Sequence, residues 1–391
     1  RILQIAEESL RNTGHEDVSL SSLSAGDYRE LLPLVKRLNR KFSDKVVSLS
    51  LPSLRVAAVN REVLKELKTV RKTGFTMAPE AASERLRTVI NKDFGEEDYE
   101  RALHALFAEG WENLKLYFMV GLPTETEEDI EAIPAMAQKA INIAKRYSRR
   151  HMNLNIGVSP FVPKPHTPMQ WCGQEKDETL RAKMGYLRKR LIRKGMNFKG
   201  HDTEMSLLEA VLSRGDHTAP DLIEAAWSMG CRLDAWTESF DFSRWRTAAE
   251  KTGTDLNLCA ERQFGRDDTL PWERIDTGVK GSFLWDEFQR GLSREVTPDC
   301  RRICHACGVG CSPAKETSGL FSSGNEKGKQ RDLHVGDGRI PSVMMRVRFS
   351  KTGDMRYLSH RELITAVIRA LRRTDIPVLY SKGFHPLLRL S

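Results

Sequence analysis

The sequence predicts an α/β protein built on a parallel sheet, either doubly wound or part of a (βα) barrel, with a helical extension and a short α+β segment behind it. Two observations predict the sheet. From residue 1 to about 195, short apolar or alternating segments take turns with longer amphipathic ones, and such alternation implies parallel strands joined by helices. Strand starts recur at intervals of roughly 28 to 40 residues, which is room for right-handed crossovers and excludes tight hairpins. A third observation predicts the extension: residues 196–299 are helix-rich and carry Trp227, Trp236, Trp245, Trp272 and Trp285.

Taken in order, Ile2 to Leu10 has helical apolar spacing, and Val18 to Leu23, Val46 to Leu51, Gly74 to Ala78, Leu114 to Val120 and Leu154 to Val158 read as strands. Several of the intervening helices announce their starts: Asn60 before Arg61 and Glu62, Ser83 before Glu84, and the acidic run Thr124-Glu125-Thr126-Glu127-Glu128-Asp129. Side-chain oxygens there accept from free backbone N–H groups, and acids complement the positive helix end. The Trp-rich stretch predicts a core, not a cofactor site. Residues 312–340 are rich in Ser, Gly, Lys and Glu and predict a flexible linker. After it, Val343 to Phe349 alternates as a strand, Lys351-Thr352-Gly353-Asp354 suggests a turn, Arg361 to Arg373 a helix and Pro377 to Tyr380 a second strand.

A chain of 391 residues with 40% hydrophobic content has room for two or three cores. No apolar run approaches the roughly 20 residues that span a bilayer, so no membrane partner is expected. Seven cysteines, four of them clustered, suit a reducing compartment, and cytoplasm is the expectation. Arg1 and Ser391 both interrupt patterned segments, so the sequence reads as a fragment. The net charge of +9 is concentrated at the end: residues 341–391 hold ten Lys or Arg against Asp354, Glu362 and Asp375. A polyanion such as RNA would be attracted there, although a solvated basic helix face accounts for the same pattern.

Ligands of such folds bind where the parallel strands end. Those ends read Ser24-Ala25-Gly26-Asp27, Leu51-Pro52-Ser53-Leu54-Arg55, Met77-Ala78-Pro79-Glu80, Gly121-Leu122-Pro123-Thr124 and Ser159-Pro160-Phe161-Val162-Pro163. Glu80 can accept from hydroxyl or ammonium groups, Asp27 can neutralise an ammonium, and Gly121 permits close backbone approach. Together they suit a zwitterionic ligand that carries a ribose. A turn and a helix cap explain each of them singly.

Cys300, Cys304, Cys307 and Cys311 form a C-x3-C-x2-C-x3-C pattern. Four thiolates make a closed site for structural zinc or an auxiliary Fe-S cluster. Free thiols in a loop are the alternative. Cys172, Cys231 and Cys259 are isolated and read as ordinary side chains.

Three runs carry a family resemblance. Arg71-Lys72-Thr73-Gly74-Phe75-Thr76-Met77-Ala78-Pro79-Glu80-Ala81-Ala82-Ser83-Glu84-Arg85-Leu86-Arg87, Lys115-Leu116-Tyr117-Phe118-Met119-Val120-Gly121-Leu122-Pro123-Thr124 and Ser159-Pro160-Phe161-Val162-Pro163-Lys164-Pro165-His166-Thr167-Pro168 closely resemble the fourth-, fifth- and sixth-strand regions of radical S-adenosylmethionine (SAM) proteins. Residues 1–195 most resemble the cobalamin-binding-domain-associated branch, related to the methylthiotransferases. Phe349-Ser350-Lys351-Thr352-Gly353, Tyr357-Leu358-Ser359-His360 and Ser381-Lys382-Gly383-Phe384-His385-Pro386 resemble a domain of unknown function linked to such proteins.

The resemblance implies a partial (βα) TIM-like radical SAM barrel over 1–195, a helix-rich extension over 196–311 that ends in the four-Cys site, the linker over 312–340, and a truncated basic α+β domain over 341–391. It implies an enzyme in which a [4Fe-4S] cluster reductively cleaves SAM to a 5′-deoxyadenosyl radical, with cobalamin as a candidate further cofactor. Glu80 would contact the SAM ribose or amino group, Gly26 and Asp27 the methionine amino group, and Ser53 and Arg55 the methionine or ribose. Gly121 and Pro123 would line the adenine side. The family's usual Gly-Gly-Glu is replaced by Ala25-Gly26-Asp27. No cysteine precedes Cys172, so the cluster triad is expected upstream of Arg1 and the fragment alone is expected to be inactive. No catalytic residue is assigned. RNA or a ribosomal component is the candidate substrate, and ferredoxin or flavodoxin the candidate reductant. The competing expectation is a non-catalytic nucleic-acid-binding protein that uses the four-Cys knuckle and the basic tail.

Overall fold

The computed structural model describes residues 1–22, 25–28, 30–42, 45–51, 54–56, 59, 61–68, 74–148, 152–300, 302–311, 343–374, 376–381 and 387–389, with Asp27 described by its backbone alone. Ser53, the 312–340 linker and the 382–386 motif lie outside them. The chain forms two units: residues 1–52, 62–73 and 312–391, and residues 53–61 with 74–311.

In the first unit, α1 (Ile2–Thr13), β1 (Asp17–Ser19), α2 (Leu31–Phe42) and β2 (Ser48–Ser50) follow one another. β1 pairs in parallel with β2, Asp17 opposite Ser48. α2 turns Leu31, Leu34, Val35, Leu38 and Phe42 inward, the i, i+3, i+4, i+7 stripe of a helix buried on one side. Both strands are shorter than the alternation suggests, because pairing ends at Ser19 and Ser50. α3 (Arg61–Leu67) starts at the residue the sequence marks.

The second unit holds β3 (Phe75–Glu80), α4 (Glu84–Val89), α5 (Glu96–Ala108), β4 (Asn113–Val120), α6 (Glu127–Ala144), β5 (Asn153–Pro160), α7 (Asp177–Leu191) and β6 (Met196–Gly200). The sheet order is β3-β4-β5-β6, every pair parallel. Asn113 lies opposite Asn153, Leu154 opposite Met196, and Leu54 adds a parallel bridge to Met77 at the β3 edge. Parallel strands covered on both faces are continuously apolar; these alternate instead. Phe75, Met77, Leu114, Leu116, Phe118, Val120, Leu154, Ile156 and Val158 are buried. The intervening Lys115, Tyr117, Asn197 and Lys199 are exposed, and Thr76, Asn155 and Ser159 half-buried. The sheet therefore has an apolar face and a polar one.

β6 occupies the start of the stretch expected to be helical. Five residues with only Met196 buried are too short for a periodicity to register, and pairing with β5 makes them a strand. Helices begin at α8 (Thr203–Arg214), followed by α9 (Ala219–Ser228), α10 (Phe242–Thr252), α11 (Leu256–Glu261) and α12 (Gly281–Leu292). Leu208, Val211, Leu222, Ala226, Trp245 and Ala248 share one core here, and Trp171, Phe264, Trp272 and Leu284 another. Trp227 and Trp236 are not core: they keep 59% and 64% of their surface exposed.

The chain returns to the first unit with α13 (His360–Arg372), whose N-cap Ser359 and Glu362 bond reciprocally: Ser359 N–H to Glu362 Oε2 at 2.6 Å, Glu362 N–H to Ser359 Oγ at 3.4 Å. Arg372 donates to Tyr380 Oη and to the Lys45 carbonyl, both at 2.8 Å. The strand expected over Val343 to Phe349 is absent: these residues are exposed and pair with nothing among the described residues. An alternating pattern becomes a strand only beside a neighbour that takes its N–H and C=O groups. The second expected strand is reduced to one antiparallel bridge, Tyr380 to Leu388. Among the described residues, no helix is long and apolar enough to cross a membrane.

Candidate functional site

The carboxyl ends of β3, β4, β5 and β6 form one edge of the second unit's sheet. Glu80 closes β3. Its strand shifts register between Met77, opposite Leu116, and Glu80, opposite Phe118, so that Ala78 and Pro79 face a single residue of β4. Such a bulge re-aims the side chain that follows. Glu80 also has φ +67°, a region costly for any residue but glycine. Burial pushes its carboxyl pKa above the usual range, against the pull of Lys92, whose ammonium lies 3.6 Å away. The arrangement holds a partly desolvated acceptor at the sheet edge.

The loops after β3 and β4 are latched together. Ser83 caps α4 by accepting from Leu86 N–H at 3.1 Å and donates to Asp129. Arg85 pairs with the same Asp129 and donates to the Thr124 carbonyl at 2.8 Å. Asp129 closes the start of α6 by accepting Thr126 N–H at 2.7 Å. Desolvation raises the Asp129 pKa, but the bonds from Ser83, Arg85 and Thr126 outweigh it and hold the carboxyl below its usual range. The acidic run opens a helix, as its sequence predicts. Its last acid, Asp129, also ties two strand-end loops together.

Gly121 ends β4 with φ +82°. The space a Cβ would take is filled by Leu180 Cδ2 and Glu175, 2.8 and 3.1 Å from that position, so the close approach that Gly121 permits is that of α7 and the loop before it. Its N–H donates to Glu125 at 2.9 Å. Glu125 in turn binds Lys183 at 2.6 Å, and Lys183 reaches Glu175 at 2.8 Å. Pro123 is half-buried in the same loop.

Arg55 follows the Leu54 bridge and is exposed at the β3 edge. Gly26, half-buried, and Asp27 sit in a single 3-10 turn, Ala25–Asp27, of the first unit. On the polar face, Asn197 donates to Asn155 at 3.3 Å, and Tyr117 lies opposite and over Gly157, beside exposed Lys115 and Lys199.

His166 was not singled out from the sequence. It has φ +57° in the loop after β5, its N–H donates to Gln170 Oε1 at 2.9 Å, and that oxygen also accepts Trp272 Nε1 at 2.7 Å. The buried His166 Nε2 has no partner among the described residues. The signal was the run Pro165-His166-Thr167-Pro168, in which flanking prolines remove the backbone donors that would let the loop join a strand.

Residues 1–171 contain no cysteine, so the barrel strands bring no thiolate to a [4Fe-4S] cluster and do not fit that group. At the edge, Glu80 is an acceptor of the kind that a hydroxyl or ammonium group needs. Cys300, Cys304 and Cys311 are exposed free thiols and Cys307 is half-buried. They are not gathered into a group of three metal-ligating side chains among the described residues.

Residues 1–137 match the Radical SAM superfamily, and residues 344–391 match a family described as an uncharacterized protein conserved in bacteria (DUF2344). An uncharacterized protein of Methanocaldococcus jannaschii is 36% identical over 215 residues, 55% of this chain and 45% of its own length; the chain thus spans less than half of that relative. The mixed α/β architecture with parallel strands is consistent with a partial TIM-like radical SAM fold, a domain class that implies SAM and a [4Fe-4S] cluster in general. The match does not favour the non-catalytic nucleic-acid-binding alternative. Residues 1–137 are thus similar to the Radical SAM superfamily and residues 344–391 to the DUF2344 family.

Proposed function

We propose that the carboxyl edge of the second sheet is the SAM-binding part of a radical SAM enzyme. The observation that carries this is Glu80: a bulge and a positive φ aim a partly desolvated carboxylate at a parallel sheet's carboxyl edge, inside the matched domain. Glu80 accepts hydrogen bonds from the SAM ribose or ammonium. Arg55 approaches the methionine or ribose, and Gly121 and Pro123 shape the adenine side through their backbone. In this class a [4Fe-4S] cluster would supply the electron for SAM cleavage; residues 1–171, which hold no cysteine, offer it no thiolate. The residues here bind and orient.

The ten Lys or Arg of residues 341–391 support RNA or a ribosomal component as the substrate. Ferredoxin or flavodoxin is the proposed reductant and cobalamin a proposed second cofactor, both resting on the resemblance in residues 1–195. SAM binding to the chain, measured by calorimetry, tests the assignment. Glu80→Gln should weaken it roughly tenfold or more, the size of a lost charge-assisted hydrogen bond. A chain that binds no SAM, or a variant that binds it equally well, sinks the proposal.

A further inference from the structure

The last residues of the second unit are pinned at both ends. Thr297 N–H donates to Asn91 Oδ1 at 3.2 Å while Asn91 Nδ2 donates to the Thr297 carbonyl at 3.3 Å. Thr297 Oγ1 also donates to Glu287 of α12 at 2.9 Å. Ten residues on, Lys280 N–H donates to the Cys307 carbonyl at 2.8 Å. Among and just beyond the pins stand four free thiols, Cys300, Cys304, Cys307 and Cys311.

The centre of this segment is Cys304-His305-Ala306-Cys307-Gly308. Ala306 has φ +52° and Gly308 φ +106°. A Cβ at position 308 would fall 2.7 Å from the Gly278 carbonyl and 2.9 Å from Lys280 Cγ, so glycine is required twice over, by conformation and by contact. A C-x2-C-G turn that passes through left-handed conformations points successive backbone N–H groups to one side, where they can bond thiolate sulfur and spread its charge. His305 Nε2 lies 2.8 Å from the Pro298 carbonyl, which makes that nitrogen a donor and takes it out of ligation.

The other cysteines contrast with these. Cys231 is buried and Cys172 and Cys259 half-buried, and desolvation pushes each thiol up, that of Cys172 to about 11. They are packing groups. The quartet contributes nothing to a core, and four exposed or half-exposed thiols within twelve residues invite oxidation unless something occupies them.

We propose that Cys300, Cys304, Cys307 and Cys311 hold a four-thiolate metal centre, mononuclear zinc or an iron–sulfur cluster, that draws the sulfurs together between the Thr297 and Cys307 pins. Each thiol gives up its proton on binding, and the metal closes the segment beside Lys280. This site is separate from SAM binding and does not rest on it.

The 391-residue chain, purified without oxygen, is offered zinc in one arm and, in the other, ferric iron with sulfide and a thiol that reduces part of the iron. Bound metal is then measured by elemental analysis, and the cluster by visible absorption. The expected result is about one zinc per chain, or about four irons with their sulfides. The metal is lost in C304S/C307S and kept in C172S/C231S/C259S. Hydrogen exchange over residues 297–311 should slow on loading in the parent chain and stay fast in C304S/C307S, while far-UV dichroism shows that the variant still folds. Failure to take up metal in both arms overturns the proposal, as does equal metal content in C304S/C307S. Uptake in either arm that depends on the quartet supports it and names the metal.

Discussion

Lys92 Nζ stands 3.6 Å from the Glu80 carboxylate, with 29% and 25% of the two side chains exposed. The pair is close enough to neutralise Glu80 and open enough for a ligand to replace Lys92. Burial still prevails and raises the Glu80 pKa above 4.5. The folded chain therefore holds this proton more tightly than the unfolded chain. Its stabilising contribution is complete below pH 4.5 and is lost as pH rises through the higher folded value. Glu80→Gln should be at least as stable as the parent at pH 7, with the difference shrinking toward acid pH in thermal melts. A variant that is several degrees less stable at every pH would make Glu80 a structural residue.

Asp129 is 3% exposed and serves Ser83, Arg85 and Thr126 at once. Replacing it with alanine leaves those donors short of an acceptor and should cost roughly 3 kcal/mol in urea unfolding. The sign is opposite to that of Glu80. A folded pKa below 3.8 gives stability that is present above that value and lost as pH falls through the lower one. Asp129→Asn should flatten this acid limb, and an unchanged limb would refute the assignment.

Gly121→Ala places a Cβ 2.8 Å from Leu180 Cδ2 with φ at +82°. Overpacking and left-handed strain together should cost about 2–3 kcal/mol. Leu180→Ala combined with it should relieve the packing part alone, so a double-mutant cycle separates the two. Additive effects would show that α7 does not press on this turn.

Lys183 bridges Glu125 and Glu175, and the Glu125 side chain is 2% exposed. Lys183→Met leaves a buried carboxylate without its cation and should cost roughly 3 kcal/mol at pH 7. The loss should shrink at acid pH, where Glu125 protonates, because its folded pKa is already raised by burial. Adding Glu125→Gln should restore most of the stability. If the double variant is as weak as the single one, the bridge matters through packing and not through charge.

Much of the second unit was legible in the sequence because local chemistry determines it. The Ser83 cap, the acid-rich start of α6 and the alternation of β4 and β5 all follow from neighbouring residues. What could not be read depends on partners distant in sequence. Met196 to Gly200 is a strand only because β5 offers a free edge, whereas Val343 to Phe349 has the better pattern and no strand neighbour among the described residues. His166 sat inside a recognised run, yet its orphaned nitrogen follows from burial in the loop after β5. Gly121 also admits Leu180 of α7, 59 positions on, which no neighbouring residue announces.

By itself the sequence determined the class of fold and the residue types placed at the strand ends, because propensity, capping and turn chemistry act over a few residues. Tertiary structure alone decided how those ends are used. It bulged β3 to aim Glu80, tied Ser83 and Arg85 to Asp129, and pinned the cysteine segment to Asn91 and Lys280. Each of these joins residues tens to hundreds of positions apart, and burial sets their electrostatics, which no local pattern encodes.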